Sequence, residues 1–296
     1  MTTHILCSAA DLSLTATFEC GQCFRWEPYA GGDTRLGFAP ADSAALEADI
    51  NCGADKVTVS YVGVAFGRVV RVFERGGEIH IDAPEVDLPL WRAYFDLDRD
   101  YGAVGERVRI VNDFMSEATG YGRGLRILRQ EPWEALCSFI ISQCNNIPRI
   151  KSIIRKLCEL FGASLGGGHF AFPDAETLAA LDEADLAPLR AGYRAAYIVA
   201  AARAVAFGDC DLAAIAAMSG NDAIRALQQL QGVGLKVASC AALYGLARHD
   251  AFPIDTWMKK ALKLRFPPDF DPIVFGEDAG VAQQYIFYYE RSLSGR

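Results

Sequence analysis

Apolar and polar residues alternate along 57-VTVSYVGVAF-66, the period of a half-buried strand. The next stretch, 68-RVVRVFERGGEIHIDA-83, alternates on both sides of Gly76–Gly77 and predicts a hairpin turning there. Residues from about 5 to 85 read as strand-rich on this basis. After Pro84 the apolar spacing becomes helical. Candidates are 133-WEALCSFIISQ-143, 148-PRIKSIIRKLCELF-161, 174-DAETLAALDEADL-186, 193-YRAAYIVAAARAVAF-207, 221-NDAIRALQQL-230, 235-LKVASCAALYGLA-247 and 255-DTWMKKALKLRF-266, separated by Gly, Pro, Asn and Asp. Strands first and helices afterwards predict an α+β fold. The expected division is an antiparallel β-sheet-rich domain over 1–85 and a mainly α-helical region over 86–296. No internal repeat is visible, and 165-LGGGHF-170 is too short for a linker.

One helical joint breaks the pattern. In 230-LQGVGLKVASCAAL-243, Gly232 and Gly234 interrupt the helix and Lys236 stands alone in an apolar run. Gly inside a helix costs roughly 1 kcal/mol against Ala, and an interior ammonium is costly to desolvate. Both features fit a turn that approaches something closely beside an amine that reacts. They also fit a plain helix–turn–helix joint whose lysine reaches out to water.

Composition narrows the choice. With 296 residues, 51% of them hydrophobic, the chain can bury a large core, most simply as two domains. No apolar run approaches a membrane span, and the first residues lack a secretion-signal pattern. That pattern points to the cytoplasm with access to a nucleoid, a nucleus being also compatible. Nine cysteines, at 7, 20, 23, 52, 137, 144, 158, 210 and 240, are expected to be reduced thiols. Cys20 and Cys23 form a lone CxxC without a second ligand pair, and the four histidines are not spaced as ligands. No cysteine follows Cys240, which excludes a C-terminal iron–sulfur cluster. A formal net charge of −8 argues against a protein that coats nucleic acid, while leaving room for a local groove.

Such a groove can be made of peptide. Gly232 and Gly234 can take positive φ and present amides with no Cβ in the way. Amides opening the second helix then suit a phosphate, and a structural cation could sit on the hairpin carbonyls. From Lys236 a helix to Ala247 runs about 18 Å, and 248-RHDAFPI-254 can span up to about 25 Å. Asp255 can therefore return beside Lys236 while capping the next helix, where amides stabilise its charge. An amine in apolar surroundings can form a Schiff base, and a fixed carboxylate can stabilise a sugar losing its base. Each residue alone has a structural explanation. As a pair after this turn they point to attack at C1′ of a deoxynucleotide, base departure and strand cleavage by β-elimination.

At this point the chain resembles a known family. LQGVGLKVASCAAL followed by AFPIDTWM is similar to the helix-hairpin-helix, Gly/Pro-rich, aspartate-terminated motif of the HhH-GPD DNA glycosylases, here at about 221–247. The finer resemblance is to 8-oxoguanine DNA glycosylase/AP lyases and covers nearly the whole chain. CGQCFRW resembles that family's SGQSFRW. YFDLDRD, LRILRQEPWEALCSFIISQCNNIPRI, GYRAAY and AGVAQQYIF match further blocks in order.

The resemblance implies roles residue by residue. Lys236 would be the nucleophile and Asp255 the catalytic carboxylate. Gly21 would offer its carbonyl to the N7–H that 8-oxoguanine has and guanine lacks, a contact whose loss costs about 1–3 kcal/mol. Phe287 and Cys240 would sandwich the extruded base, and Gln283 would read its edge. Cys144, Asn145 and Asn146 would fill the hole it leaves; Arg149, Tyr193 and Arg194 would contact the orphaned cytosine and wedge the duplex. Gly232 and Gly234 would hold phosphate. The partner implied is double-stranded DNA carrying oxidised guanine, bound by a monomer without membrane contact. No cofactor and no side-chain metal site are expected.

Two positions depart from the family. Its three asparagines read Cys144–Asn145–Asn146 here, and Trp257 stands where a histidine is common two positions after the aspartate. Residues between about 30 and 66 do not align and carry no assigned role. The competing readings are a glycosylase for another damaged base, such as an alkylated purine, and a catalytically silent hairpin module that holds DNA by its phosphates.

Overall fold

In the computed structural model, which describes residues 2–29 and 56–294, five N-terminal strands form one antiparallel sheet. They are β1 (Thr2–Ser8), β2 (Trp26–Pro28), β3 (Val57–Ala65), β4 (Arg68–Arg75) and β5 (Glu78–Ala83), in spatial order β1-β5-β4-β3-β2. Gly76 and Gly77 both take positive φ, 60° and 80°, so the β4–β5 hairpin has the turn whose twist matches its strands. Arg75 faces Glu78 across it. Gly63 in β3 pairs with Trp26, and a Cβ there would collide with the indole.

The helices follow: α1 (Leu14–Glu19), α2 (Leu88–Tyr94), α3 (Tyr101–Arg109), α4 (Asp113–Tyr121), α5 (Pro132–Ile141), α6 (Ile147–Phe161) and α7 (Ala175–Ala179). The second half of the chain adds α8 (Arg194–Ala206), α9 (Leu212–Ala216), α10 (Gly220–Leu227), α11 (Leu235–Gly245), α12 (Thr256–Arg265) and α13 (Ala279–Leu293). The α+β arrangement expected from the sequence is present: a sheet first, helices afterwards. None of the helices among the described residues is long and apolar enough to cross a membrane.

The structure differs locally from the periodicity. The strand-rich stretch contains α1, a six-residue helix capped by Ser13 that is too short to show a period. The helix expected over 174–186 stops at Ala179, because the Asp185 carboxylate accepts from the Asp182 amide (2.9 Å) and builds a competing turn. The triple glycine of 165–170 lies in a small hairpin between β6 (Ser164–Gly166) and β7 (His169–Phe170). Cys52 lies outside the described residues, as does the unassigned stretch up to residue 55.

Two apolar cores result. One lies under the sheet, where Phe18 stacks on Trp26 at 4.2 Å and the indole N–H donates to Tyr94 Oη (2.8 Å). The other fills the space between the helices and holds Ile140, Ala238, Leu243 and Ile286, all fully buried. The eight described cysteines are free thiols. Cys20 belongs to the helical core and Cys23 to the sheet core, so the loop between them straddles both.

Candidate active site

Helices α10 and α11 are joined by a tight turn. Gly232 takes φ of +77°, and a Cβ on it would strike the Tyr197 ring of α8. Only glycine satisfies both demands. Gly234 does not share that conformation: its φ is −86°, it sits at the N-cap of α11, and nothing lies within 4 Å of where its Cβ would be. The expectation that both glycines can turn left-handed is thus corrected. Gly232 makes the bend, and Gly234 leaves the first amides of α11 uncovered. Leu235 beside them is 62% exposed.

Lys236, in the first turn of α11, is half-buried. Its Nζ donates to Ser142 Oγ (2.9 Å) and lies 5.3 Å from the Phe139 ring centroid. The apolar surround read from the sequence is therefore incomplete, since a hydroxyl from the end of α5 meets the amine. One turn along, Cys240 is buried, and burial pushes its thiol up to about 11, against the pull of Lys236. The thiol is protonated at neutral pH.

The chain then returns as expected. Asp255 caps α12, its Oδ1 accepting from the Met258 amide (2.8 Å). The approach is set by α13, where Gly280 donates its amide to the His249 carbonyl (2.7 Å). A Cβ on Gly280 would crowd that carbonyl, the Ala251 carbonyl and Leu243. Lys236 and Asp255 open onto the same cleft, lined also by Gly21, Cys240, Gln283 and Phe287. Six residues scattered over the length of the chain thus converge on one space.

Gly21 reaches the cleft on the loop after α1 with φ of +80°. Its neighbour Gln22 is fully buried and fastens the loop. Gln22 Nε2 donates to the carbonyls of Thr17 (2.8 Å) and Arg126 (2.7 Å), and Oε1 accepts from the Leu128 amide (2.9 Å). Phe287 lies within 3.4 Å of the position a Gly21 Cβ would take, with the Arg291 guanidinium 5.5 Å from its ring centroid. Gln283 is buried and accepts from Tyr244 Oη (3.3 Å). The cleft holds about 40 Å³, room for a few waters and not for a purine. Entry of a base requires its walls to part, and half-buried Phe287 lines the cleft beside Gly21, with Ile147 equally near the position of a Gly21 Cβ.

A second group surrounds the end of α5. Cys144 is exposed with φ of +47°, Asn145 Nδ2 donates to the Ile141 carbonyl (3.3 Å), and Asn146 caps α6 through the Arg149 amide (3.0 Å). Arg149 is exposed and reaches the Arg190 carbonyl (2.9 Å). Tyr193 is half exposed and meets Tyr197 edge-on at 5.6 Å. Arg194 is otherwise: it is 7% exposed, and its guanidinium donates to the carbonyls of Gln143, Cys144 and Ala191. A base contact by Arg194 would require exchanging one of these bonds, so in this state it braces the turn. Trp257 lies under Lys260, whose Nζ is 5.3 Å from its ring centroid.

Ser142, Tyr197 and Gln22 escaped the sequence reading. Each stands inside a quoted block, but its partner is distant in sequence: 94 residues for Ser142 and Lys236.

Comparison with known proteins covers both halves. Residues 4–136 match the family model of the 8-oxoguanine DNA glycosylase N-terminal domain, and residues 137–269 match that of the HhH-GPD superfamily base excision DNA repair proteins. An N-glycosylase/DNA lyase of Saccharomyces cerevisiae is 35% identical over 185 residues, covering 57% of this chain and 49% of the yeast protein. The chain thus spans about half the length of that relative. The 8-oxoguanine glycosylase/lyase of Clostridium acetobutylicum, solved with double-stranded DNA containing cytosine opposite 8-oxoguanine, superposes with a TM-score of 0.81 at 32% identity, covering 96% of this chain and 93% of that one. MBOgg1, solved with a low-affinity DNA ligand, gives 0.84 at 37% identity and covers 99% and 97%.

Proposed function

The chain belongs to the 8-oxoguanine DNA glycosylase family of the HhH-GPD superfamily, and from that premise we propose that it excises 8-oxoguanine from duplex DNA and then nicks the strand. The observation that carries the reading is the convergence of Lys236, Asp255, Gly21, Cys240, Gln283 and Phe287 on one cleft beside an uncovered helix N-terminus. The amides of Gly234 and Leu235 grip a backbone phosphate, which lets an acidic protein hold DNA with few cations. The nucleotide swings out, Phe287 moves aside, and the base enters between that ring and Cys240. A protonated thiol suits a contact with a neutral ring face. Gln283 meets the base edge, and the Gly21 carbonyl accepts the N7–H that distinguishes the oxidised base.

The amine of Lys236 attacks C1′ and the base departs with a proton; Asp255 stabilises the positive charge that develops on the sugar. Ring opening leaves an imine, and loss of the proton at C2′ expels the 3′ phosphate by β-elimination. Across the duplex, Arg149 and Tyr193 take the strand opposite, with Cys144 and Asn145 at the void. The reaction draws on no cofactor, and a cation on the hairpin carbonyls would only brace the phosphate. The protein acts as a monomer in a compartment that holds DNA, the cytoplasm with its nucleoid.

The test is covalent trapping. Incubation with an 8-oxoguanine duplex followed by borohydride is expected to give a stable protein–DNA adduct, absent for Lys236→Gln although that variant still binds the duplex. An adduct formed equally well by Lys236→Gln would remove the lysine from the reaction.

A further inference from the structure

The hydroxyl of Ser142 has a bonding pattern with a direction. Ser142 ends α5, where its amide donates to the Ser138 carbonyl (2.9 Å). Its Oγ–H donates to the Phe139 carbonyl (2.8 Å). A hydroxyl has one proton, so with that proton committed Oγ can only accept from Lys236 Nζ at 2.9 Å. The lysine stem has four rotatable carbons, so fixing its nitrogen in one place costs rotamer entropy that a held geometry must offset. Ser142 Oγ is one of two polar neighbours of this nitrogen, the other being the Cys240 sulfur one turn along α11. The Phe139 ring lies against the amine from the same helix. Helix α5 thus contributes both a polar and an apolar stop to a side chain from α11, and the two helices pack together directly.

An acceptor bond of this kind survives loss of the proton that activates the amine. An ammonium donates to Oγ with one of its three N–H groups, and a neutral amine still has two. The nitrogen can stay in place while its lone pair becomes free on the side away from Ser142, towards the cleft. We propose that Ser142 is a positioning residue for the nucleophile, fixing the amine of Lys236 for attack before and after it deprotonates. This rests on the glycosylase/lyase reading above. A reacting atom displaced by about 1 Å can lose on the order of 100-fold in rate, so one hydroxyl is enough to matter.

The experiment compares wild type, Ser142→Ala and Ser142→Thr in single-turnover cleavage and borohydride trapping, on duplexes carrying either 8-oxoguanine or a preformed abasic site. Ser142→Ala is expected to slow both substrates by about 10- to 100-fold with damaged-duplex binding unchanged. Ser142→Thr, which keeps the hydroxyl, is expected to recover most of the rate. A defect on 8-oxoguanine that spares the abasic duplex would assign Ser142 to base reading and overturn the proposal. So would a Ser142→Ala protein as fast as wild type, or a Ser142→Thr protein as slow as Ser142→Ala. Absence of any adduct with wild type would instead defeat the glycosylase/lyase reading itself.

Discussion

Two glycines two positions apart carry different burdens, which the sequence cannot distinguish. Gly232 is left-handed and packed against an aromatic ring, whereas Gly234 is extended and faces open space. Alanine at position 232 meets a backbone penalty of about 1–2 kcal/mol and must also displace Tyr197. Tyr197 in turn touches Tyr193, so the disturbance spreads toward the turn that Arg194 braces. Gly232→Ala is therefore expected to lower the melting temperature and weaken duplex binding at least tenfold, or about 1.4 kcal/mol. Gly234→Ala should leave stability nearly untouched and weaken binding only by screening the amides. Thermal unfolding and a fluorescence-anisotropy titration of both variants check this, and equal behaviour of the two would contradict the assignment. At this scale the candidate site was legible where chemistry singled residues out: Lys236, Asp255 and the glycines are conspicuous in their own segments. Gly21, Cys240, Gln283 and Phe287 are ordinary residue types, and only the family resemblance suggested them.

Elements with long, clean periods were legible, and those fixed by tertiary contact were not. The β4–β5 hairpin carries its turn in two glycines, and α6 and α8 lie within a residue of the spacing that predicts them. By contrast α13 is an aromatic-rich stripe buried through most of its length, so no polar face marks its period. The segment between α11 and α12 has no period at all, yet it delivers Asp255. It is held through His249, a buried imidazole whose nitrogens have no hydrogen-bond partner; Nε2 lies 3.7 Å from Asp96 Oδ2. Burial first, and Arg99 next, push this imidazole down to about 4, with Arg129 acting in the same direction and Asp96 and Asp250 opposing. An imidazole depressed in the folded state stays neutral there while the unfolded chain protonates near its ordinary 6.5. Its contribution is complete above about pH 6.5 and drains away as the pH falls toward 4, reaching a loss of about 3 kcal/mol. Urea unfolding at about pH 7.5 and about pH 5 should show wild type losing roughly 2 kcal/mol across that interval. His249→Leu should flatten that part of the profile; the same slope in both proteins would show that another group titrates.

The whole molecule depends on a joint between two cores, and Gln22 is its pin. Cys20 packs among the helices and Cys23 under the sheet, so the CGQC loop must bridge two apolar masses with its peptide groups buried. The Gln22 side chain bonds three peptide groups flanking the loop, on α1 and on the segment from Arg126 to Leu128, and its own carbonyl accepts from Gln130 Nε2 (2.7 Å). That segment is tied in turn to Asp96, which pairs with Arg99 (2.9 Å) and Arg129 (2.5 Å) while buried. The CxxC pattern therefore describes the spacing of two core residues and not a ligand pair, something the sequence could suggest only by the lack of partners. Gln22→Leu keeps the bulk and removes the bonds, depriving the Arg126 carbonyl and the Leu128 amide of their partner in the interior and leaving the Thr17 carbonyl with only the weak Cys20 thiol. At about 1–3 kcal/mol for each such group, partly relieved by water, the variant should lose several kcal/mol and melt roughly 5–15 °C lower. The functional consequence separates the joint from the chemistry. Gly21 rides on the loop that Gln22 pins, whereas Lys236 and Asp255 belong to the helical core side. Below its melting point, Gln22→Leu should cleave a preformed abasic site at close to the wild-type rate while its preference for 8-oxoguanine over guanine collapses. Parallel loss on both substrates would mean instead that the sheet supports the nucleophile directly and that the two cores act as one.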